Sequence, residues 1–388
     1  MKAPNSIYGA QGTTIFAVMS ALANEAGAIN LGQGFPDDEG PADVRAAAAR
    51  AITDGPNQYP PMMGMPELRQ AVAAHAGRFY GMDLDWQAQV LITSGATEAL
   101  AASLSALLRP GDEAILIEPF FDTYLPVIEA TGATAKCVAL HPPGWRLDLD
   151  ELAAAFSART KLILVNTPHN PLGRVLDQQE LTAIADLCQQ HDVIAVCDEV
   201  YEHMVFDGAA HTPLMTFPGM ADRVIRIQSA GKIFSLTGWK VGFITGSPDL
   251  VSLVSKAHQN LVFTTPPGLQ LGVAYGLGKD DAFFRDQAGT LAARRGMLRQ
   301  GLEATGFEIS PCEGTYFLTA DIRPFGRNES DDAFCRSITT EAKVAAVPIS
   351  AFYAPGSNDI QRHFVRFCFC KQPDVLEEAC SRLSHFLR

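Results

Sequence analysis

The sequence predicts an α/β protein: a large domain built on a mostly parallel sheet flanked by helices, joined to a small α+β domain. Three observations carry this expectation. Through the middle of the chain, short apolar and β-branched runs alternate with helical stretches, the pattern of buried parallel strands covered on both faces. Beyond about residue 279 that alternation gives way to one long helical pattern followed by mixed strands and helices. Finally, 388 residues that are 47% hydrophobic and 19% charged hold enough apolar material for a sizeable core, which excludes a disordered chain.

The elements follow in order. Residues 1–44, rich in Gly, Pro and Asn, are expected to form an arm lying on both lobes and to supply part of the small domain. Residues 45–278 form the large domain, with strands at 89–93, 113–117, 135–139, 162–166, 193–197, 224–228 and 241–245 and helices such as 98–108 and 178–191 between them. Residues 279–388 form the small domain. It has a helix over 281–305 with Arg294 and Arg295 on its polar side, a strand at TYFLTAD and a helix near 330–342. A strand at HFVRFCFC and a helix from about 374 complete it.

Charge and cysteine usage narrow the function classes. Thirty basic against 43 acidic residues give a net charge of −13, which argues against a nucleic-acid partner. The eight cysteines contain no CxxC pair, and several sit in apolar runs such as VIAVC and FCFC. They read as reduced core thiols of a cytoplasmic protein, and no metal site is expected. The opening MKAPNSIYGAQGTTIF lacks a leader's apolar core, and no run of about 18 apolar residues predicts a membrane span.

Six segments hold residues suited to chemistry. LITSGATEAL (91–100) ends a strand in a small-residue turn that opens a helix, where backbone N–H groups cradle an anion or simply cap the helix. IEPFFDTY (117–124) puts Phe120 and Phe121 past a strand, for ring stacking or for the core. In LVNTPHNPLG (164–173), Asn166 and Asn170 flank a proline turn, and His169 reads as a solvent-facing turn residue. In VIAVCDEVYEHM (193–204), Asp198 ends a buried strand, where a carboxylate needs a cationic partner or caps a helix. Tyr201 stands one turn on, while Glu199 and Glu202 point elsewhere. QSAGKIFSLTGWKVGF (228–243) sets Lys232 among apolar residues, which lowers an amine's pKa and suits a Schiff-base former. In HFVRFCFC (363–370), Arg366 lies in an apolar strand and needs an anion, either structural or the carboxylate of a substrate.

In this order the six segments resemble the class I/II aminotransferases, fold-type-I enzymes that use pyridoxal 5′-phosphate (PLP). SAGK at 229–232 followed by GWKVG at 238–242 is close to that family's SxxKxxxxxGxRxG signature, with Lys240 standing where many members have arginine. LGQGFPD, NQY, EPFFD, NTPHNP and RFCF are similar to the branch holding kynurenine, glutamine and methionine aminotransferases. The resemblance implies that Lys232 carries the cofactor and moves the proton between Cα and the cofactor's C4′. It implies that Asp198 pairs the pyridine nitrogen, that Asn170 and Tyr201 bond the 3′ oxygen, and that Phe121 stacks on the ring, with Phe120 as the alternative. Gly95, Ala96, Ser229 and Lys240 would hold the phosphate, joined by Tyr59 from the neighbouring subunit of a homodimer. Arg366 would grip the substrate α-carboxylate with help from Asn170 and the backbone near Gly34. Ile15, Phe16 and Ala96, with the partner's Phe263 and the partner's Thr264, would line the side-chain pocket.

The implied activity lies in amino acid metabolism: transfer of the amino group of a neutral L-amino acid to a 2-oxo acid. A PLP-dependent C–S or cysteine-conjugate β-lyase is the alternative, and a non-catalytic effector sensor a remote one.

Overall fold

A computed structural model describes residues 5–387. Positions 1–4, within the stretch read as lacking a leader, lie outside the described residues, as does position 388. No helix among the described residues is long and apolar enough to cross a membrane.

An eight-stranded sheet organises the large domain. Its strands are β1 (Val90–Thr93), β2 (Glu113–Glu118), β3 (Thr134–His141), β4 (Arg146–Leu147), β5 (Thr160–Asn166), β6 (Ile194–Asp198), β7 (Val224–Ser229) and β8 (Gly242–Gly246). They run in the order β1-β8-β7-β6-β5-β2-β3-β4. The four pairings from β3 through β2, β5 and β6 to β7 are parallel, whereas β8 is antiparallel to both neighbours and β4 to β3. Strands β1, β2, β6, β7 and β8 are buried almost throughout, because helices cover both faces.

Alternation along β2 shows the two layers. Ile115 and Ile117 join Leu152, Leu181 and Ile184 of the helices Leu149–Ala155 and Gln178–His191. Ala114 and Leu116 join Leu100, Leu104 and Val251 of the helices Gly95–Leu107 and Pro248–Leu261 on the opposite face.

The small domain holds a second sheet of β9 (Glu308–Ile309), β10 (Phe317–Asp321), β11 (Val347–Pro348) and β12 (Phe364–Cys368), ordered β9-β10-β12-β11 and antiparallel. The helices Asp281–Thr305 and Pro373–Leu387 bury Leu298, Leu302, Leu376 and Leu383 against it.

The structure adds detail to some expectations and corrects others. The arm contains a regular helix, Ile15–Ala26, capped by the Thr14 hydroxyl and ended by Gly27 in the left-handed region. The helix expected over 330–342 is α-helical only over Asp331–Ser337 and widens into a π turn over Ile338–Ala342. Strand β12 stops at Cys368, so Cys370 lies beyond it. Arg295 does not sit on a solvent-facing side. It is buried, donates to the Cys312 carbonyl and pairs with Asp207 of the large domain, while Arg294 pairs with Asp38 of the arm.

Candidate active site

Five strand ends converge. Strands β2, β5, β6 and β7 are parallel and β1 runs the same way, so their carboxyl ends open on one side, where α/β sheets place ligands. The loops there enclose a cavity of about 220 Å³ lined by Gly95, Ala96, Phe121, Asn170, Asp198, Tyr201, Ser229, Lys232 and Lys240, among others. A second cavity, also about 220 Å³, shares Phe121, Asn170, Tyr201 and Lys232 and adds Phe16, Gly34, Phe317 and Arg366. Eleven of the twelve expected cofactor- and substrate-contacting residues therefore meet in two adjoining cavities. Tyr59 is the twelfth. It is 84% exposed, lines neither cavity, and makes an edge-to-face contact with Phe263 at 5.6 Å.

At one end lies the turn after β1. Gly95 has φ +80°, a conformation that favours glycine, and a Cβ there would come within 3.3 Å of Lys240 Nζ. The same turn leaves no room beneath it, since a Cβ on Gly242 would sit 2.7 Å from the Gly95 carbonyl carbon. The start of the helix Gly95–Leu107 therefore faces an ammonium group across a narrow gap, an arrangement suited to a phosphate. Ser229 occupies the N-cap position of the one-turn helix Ala230–Ile233 that carries Lys232, without a side-chain capping bond.

Asp198 lies at the other end, 5% exposed. Burial pushes its carboxyl up to about 6, against the Tyr124 hydrogen bond, the Val200 backbone N–H and Lys232, which lower it. Tyr124 donates to Asp198 Oδ2 at 2.6 Å. Asn166 fixes the neighbouring turn: its Nδ2 donates to the Asp198 carbonyl and its Oδ1 accepts from the Asn170 backbone, both at 2.8 Å. Burial also lowers the pKa of Lys232, whose Nζ lies 5.7 Å from the ring centres of Tyr201 and Tyr316.

Arg366 stands on β12 opposite Thr319 and Val347, 1% exposed. It donates to Asn170 Oδ1 and to the Gly32 carbonyl, both at 2.8 Å, and lies 3.9 Å from the centre of the Phe317 ring. Its Nε has no hydrogen-bond partner, and Asp122 acts on its charge without forming an ion pair with it. Burial brings its pKa down to about 10.

The residues fit PLP. A phosphate would meet the Gly95 turn and Lys240, a protonated ring nitrogen would meet the buried Asp198 carboxylate, and Phe121 lines the space between. Phe120, the alternative for stacking, is 4% exposed and belongs to the core. His169 does not face solvent: it is 2% exposed, and burial brings its pKa down to about 3. Glu199 and Glu202 point away from the cavity, to Arg226.

Tyr124 carries no local sequence signal for its contact with Asp198. Its partner is 74 residues away, and only the strand order β6-β5-β2 brings the two together.

The raised pKa of Asp198 has a consequence for stability. An unfolded aspartate titrates near 3.8, the folded one near 6, so folding of the cofactor-free chain is penalised above pH 6 and not below about pH 4. The shift of about two units is worth on the order of 3 kcal/mol. Asp198→Asn should therefore raise the melting temperature of the cofactor-free chain at pH 7 while slowing turnover strongly. The gap between variant and wild type should close as pH falls toward 4. Melting curves at three pH values check it, and a variant less stable than wild type at pH 7 would refute it.

Residues 26–383 match the family described as aminotransferase class I and II. The chain is 46% identical over 380 residues to a Mycobacterium tuberculosis protein named "Probable N-succinyldiaminopimelate aminotransferase", with 96% of each chain covered. It is 38% identical over 380 residues to Escherichia coli methionine aminotransferase, covering 98% of this chain and 97% of that one. Human kynurenine–oxoglutarate transaminase 1 is 36% identical over 393 residues, with 93% of each covered. The solved structure of the M. tuberculosis N-succinyldiaminopimelate aminotransferase superposes with a TM-score of 0.96 over 100% of both chains.

Proposed function

The chain belongs to the class I and II aminotransferases, whose cofactor is PLP, and from that premise we propose that it moves the amino group of a neutral L-amino acid to a 2-oxo acid by a ping-pong mechanism. The observation that carries the substrate side is Arg366. It is a buried guanidinium whose bonds go to neutral oxygens and whose Nε is left over, beside Lys232 in the same cavity. A substrate α-carboxylate supplies the missing anion.

Bound in the cavity, PLP supplies an electron-withdrawing ring that stabilises negative charge left at the substrate Cα. The chain's residues do the rest. Lys232 would hold the cofactor, and its amine, whose pKa burial lowers, would take the proton from the substrate Cα. Asp198 would keep a positive charge on the ring nitrogen, and Tyr124 fixes one of its oxygens. Asn170 and Tyr201 would bond the cofactor's 3′ oxygen, while Gly95, Ala96, Ser229 and Lys240 would hold its phosphate. Arg366 and Asn170 orient the carboxylate.

Phe16, Gln33, Phe35 and Phe317 also line the second cavity. Its lining cations are Lys232 and Arg366, both already engaged, which favours an uncharged side chain such as that of methionine, glutamine, phenylalanine or kynurenine. The 46% identity to the M. tuberculosis protein favours a second reading, N-succinyldiaminopimelate as donor. A donor panel with one 2-oxo acid acceptor, scored by product formation, tests both. The neutral reading expects the highest kcat/KM from a neutral donor and little from aspartate. N-succinyldiaminopimelate outrunning every neutral donor would replace it with the second reading.

We also propose a homodimer with composite sites. Tyr59 and Phe263 form an exposed aromatic pair, with Ile52, Leu261 and Val262 exposed nearby in sequence, and neither aromatic lines its own chain's cavities. If Tyr59 serves the partner's phosphate, Tyr59→Ala should be severely impaired. Mixing it with inactive Lys232→Ala under subunit exchange should then restore part of the activity, since one site per heterodimer carries neither defect. Full activity of a strictly monomeric chain in sedimentation would contradict this.

A further inference from the structure

On the far side of the turn that carries Asp198 lies a group of side chains that the transamination chemistry does not use. His75 projects from the buried face of the helix Pro66–Tyr80, in line with Leu68 and Val72. Glu202 and His203 follow β6 in the turn. His75 Nε2 and His203 Nε2 stand 2.8 Å apart, and one ligand atom each from His75, His203 and Glu202 lie within 4.8 Å of one another. The rings of Phe79 and Phe284 wall both imidazoles at 4.6–5.6 Å.

We propose that His75, His203 and Glu202 form a binding site for a divalent transition-metal ion of the zinc class. The donor set is chemically suited: two imidazoles and a carboxylate, with a fourth position open to water, describe an open tetrahedral zinc site. Two imidazole nitrogens on one tetrahedral zinc stand roughly 3.3 Å apart, so the pair needs to open by only about half an ångström. His203, the less buried of the two, lies on the wall of a cavity of about 490 Å³ that also reaches Glu202, His211 and Tyr80, which gives an ion a path in.

The electrostatics of the surroundings agree. Two carboxylates, Glu199 and Glu202, face one guanidinium, Arg226, which donates to both at 2.7 and 3.2 Å. Gln228 donates to Glu202 Oε1 at 2.8 Å, and His211 lies 3.0 Å from Glu199. Arg78, the other cation nearby, is drawn to Asp281 and stacks on Phe79 and Phe284. Glu202 accepts from neighbours that orient it, as ligating carboxylates commonly do. A bound ion would tie the helix Pro66–Tyr80 to the same turn that holds Asp198 and Tyr201.

The test uses the full-length, PLP-loaded protein, freed of excess cofactor and of any affinity tag, titrated with Zn²⁺ by calorimetry. The expected result is one saturable ion per chain, with affinity weakened at least about tenfold in His75→Gln and in His203→Gln but not in His211→Gln. Because His75 is buried and its variant can misfold, Co²⁺ is added to the wild type as a second probe. The site predicts a visible absorption band of four-coordinate cobalt that Zn²⁺ abolishes. Absence of binding would overturn the proposal, and so would binding unchanged in His203→Gln or a cobalt spectrum of the hexaaquo ion alone. A simple imidazole–imidazole hydrogen bond would then account for the pair.

Discussion

Lys232→Ala should abolish covalent retention of PLP and cut turnover by at least roughly 10²- to 10⁴-fold, the range of a lost general base alone. Lys232 sits on a one-turn helix whose geometry is fixed from several sides. The Ala230 N–H donates to the Val241 carbonyl at 3.0 Å, and the Leu236 N–H to the Gly231 carbonyl, also at 3.0 Å. Removing the side chain leaves that frame and the phosphate end intact, so the variant should still bind PLP, but reversibly. Borohydride treatment followed by mass measurement separates the two cases. Wild type should retain one cofactor per chain on Lys232, and the variant none. A variant that keeps near-normal reducible PLP would assign the attachment to another residue.

Arg366→Lys should weaken saturation by every amino acid and every 2-oxo acid, because all share the carboxylate. Loss of a charge-assisted pair of this kind costs about 2–5 kcal/mol, or roughly thirtyfold to several thousandfold in binding. Lysine keeps the charge but cannot donate to Asn170, to Gly32 and to a ligand in one plane, as the fork of Arg366 can. The rival expectation was a structural ion pair. Among the described residues no carboxylate forms an ion pair with Arg366, although Asp122 is near enough to act on its charge, and its direct neighbours are amide and carbonyl oxygens and the Phe317 ring. PLP affinity should therefore hold while substrate saturation fails. A variant with a lowered melting temperature and unchanged half-reaction saturation would return Arg366 to a structural role.

Much of the site could be read from the sequence because its residues lie at the ends of buried strands. An apolar run that stops at Asp198, and a buried strand that ends at Ser229, mark both the strands and the places where chemistry begins. What could not be read depends on tertiary proximity. Tyr124 shares a loop with Phe121, yet nothing local says that its hydroxyl meets Asp198 across β5. His169 looks like an exposed turn residue, but the turn folds inward, with the His169 N–H bonded to the Arg174 carbonyl, and the side chain is buried. Arg226 carried a readable signal, a cation inside the strand VIRIQS, and the structure shows two carboxylates meeting it. The helix Ile15–Ala26 was legible too. Thr14 before an apolar periodic stretch and Gly27 after it are ordinary start and stop signals, masked by the Gly- and Asn-rich residues around them.

The most direct test of the central claim is a single-turnover half-reaction. PLP-loaded enzyme is mixed with one neutral donor, such as methionine, without any 2-oxo acid. Product, free ammonia and cofactor absorbance are followed together. Transfer of the amino group through the Lys232 site predicts one 2-oxo acid per active site and no ammonia. The cofactor spectrum should be restored when a second 2-oxo acid is added. Continued release of ammonia with pyruvate from a donor bearing a leaving group at Cβ, without a stoichiometric half-reaction on any plain amino acid, would contradict it and make the chain a lyase.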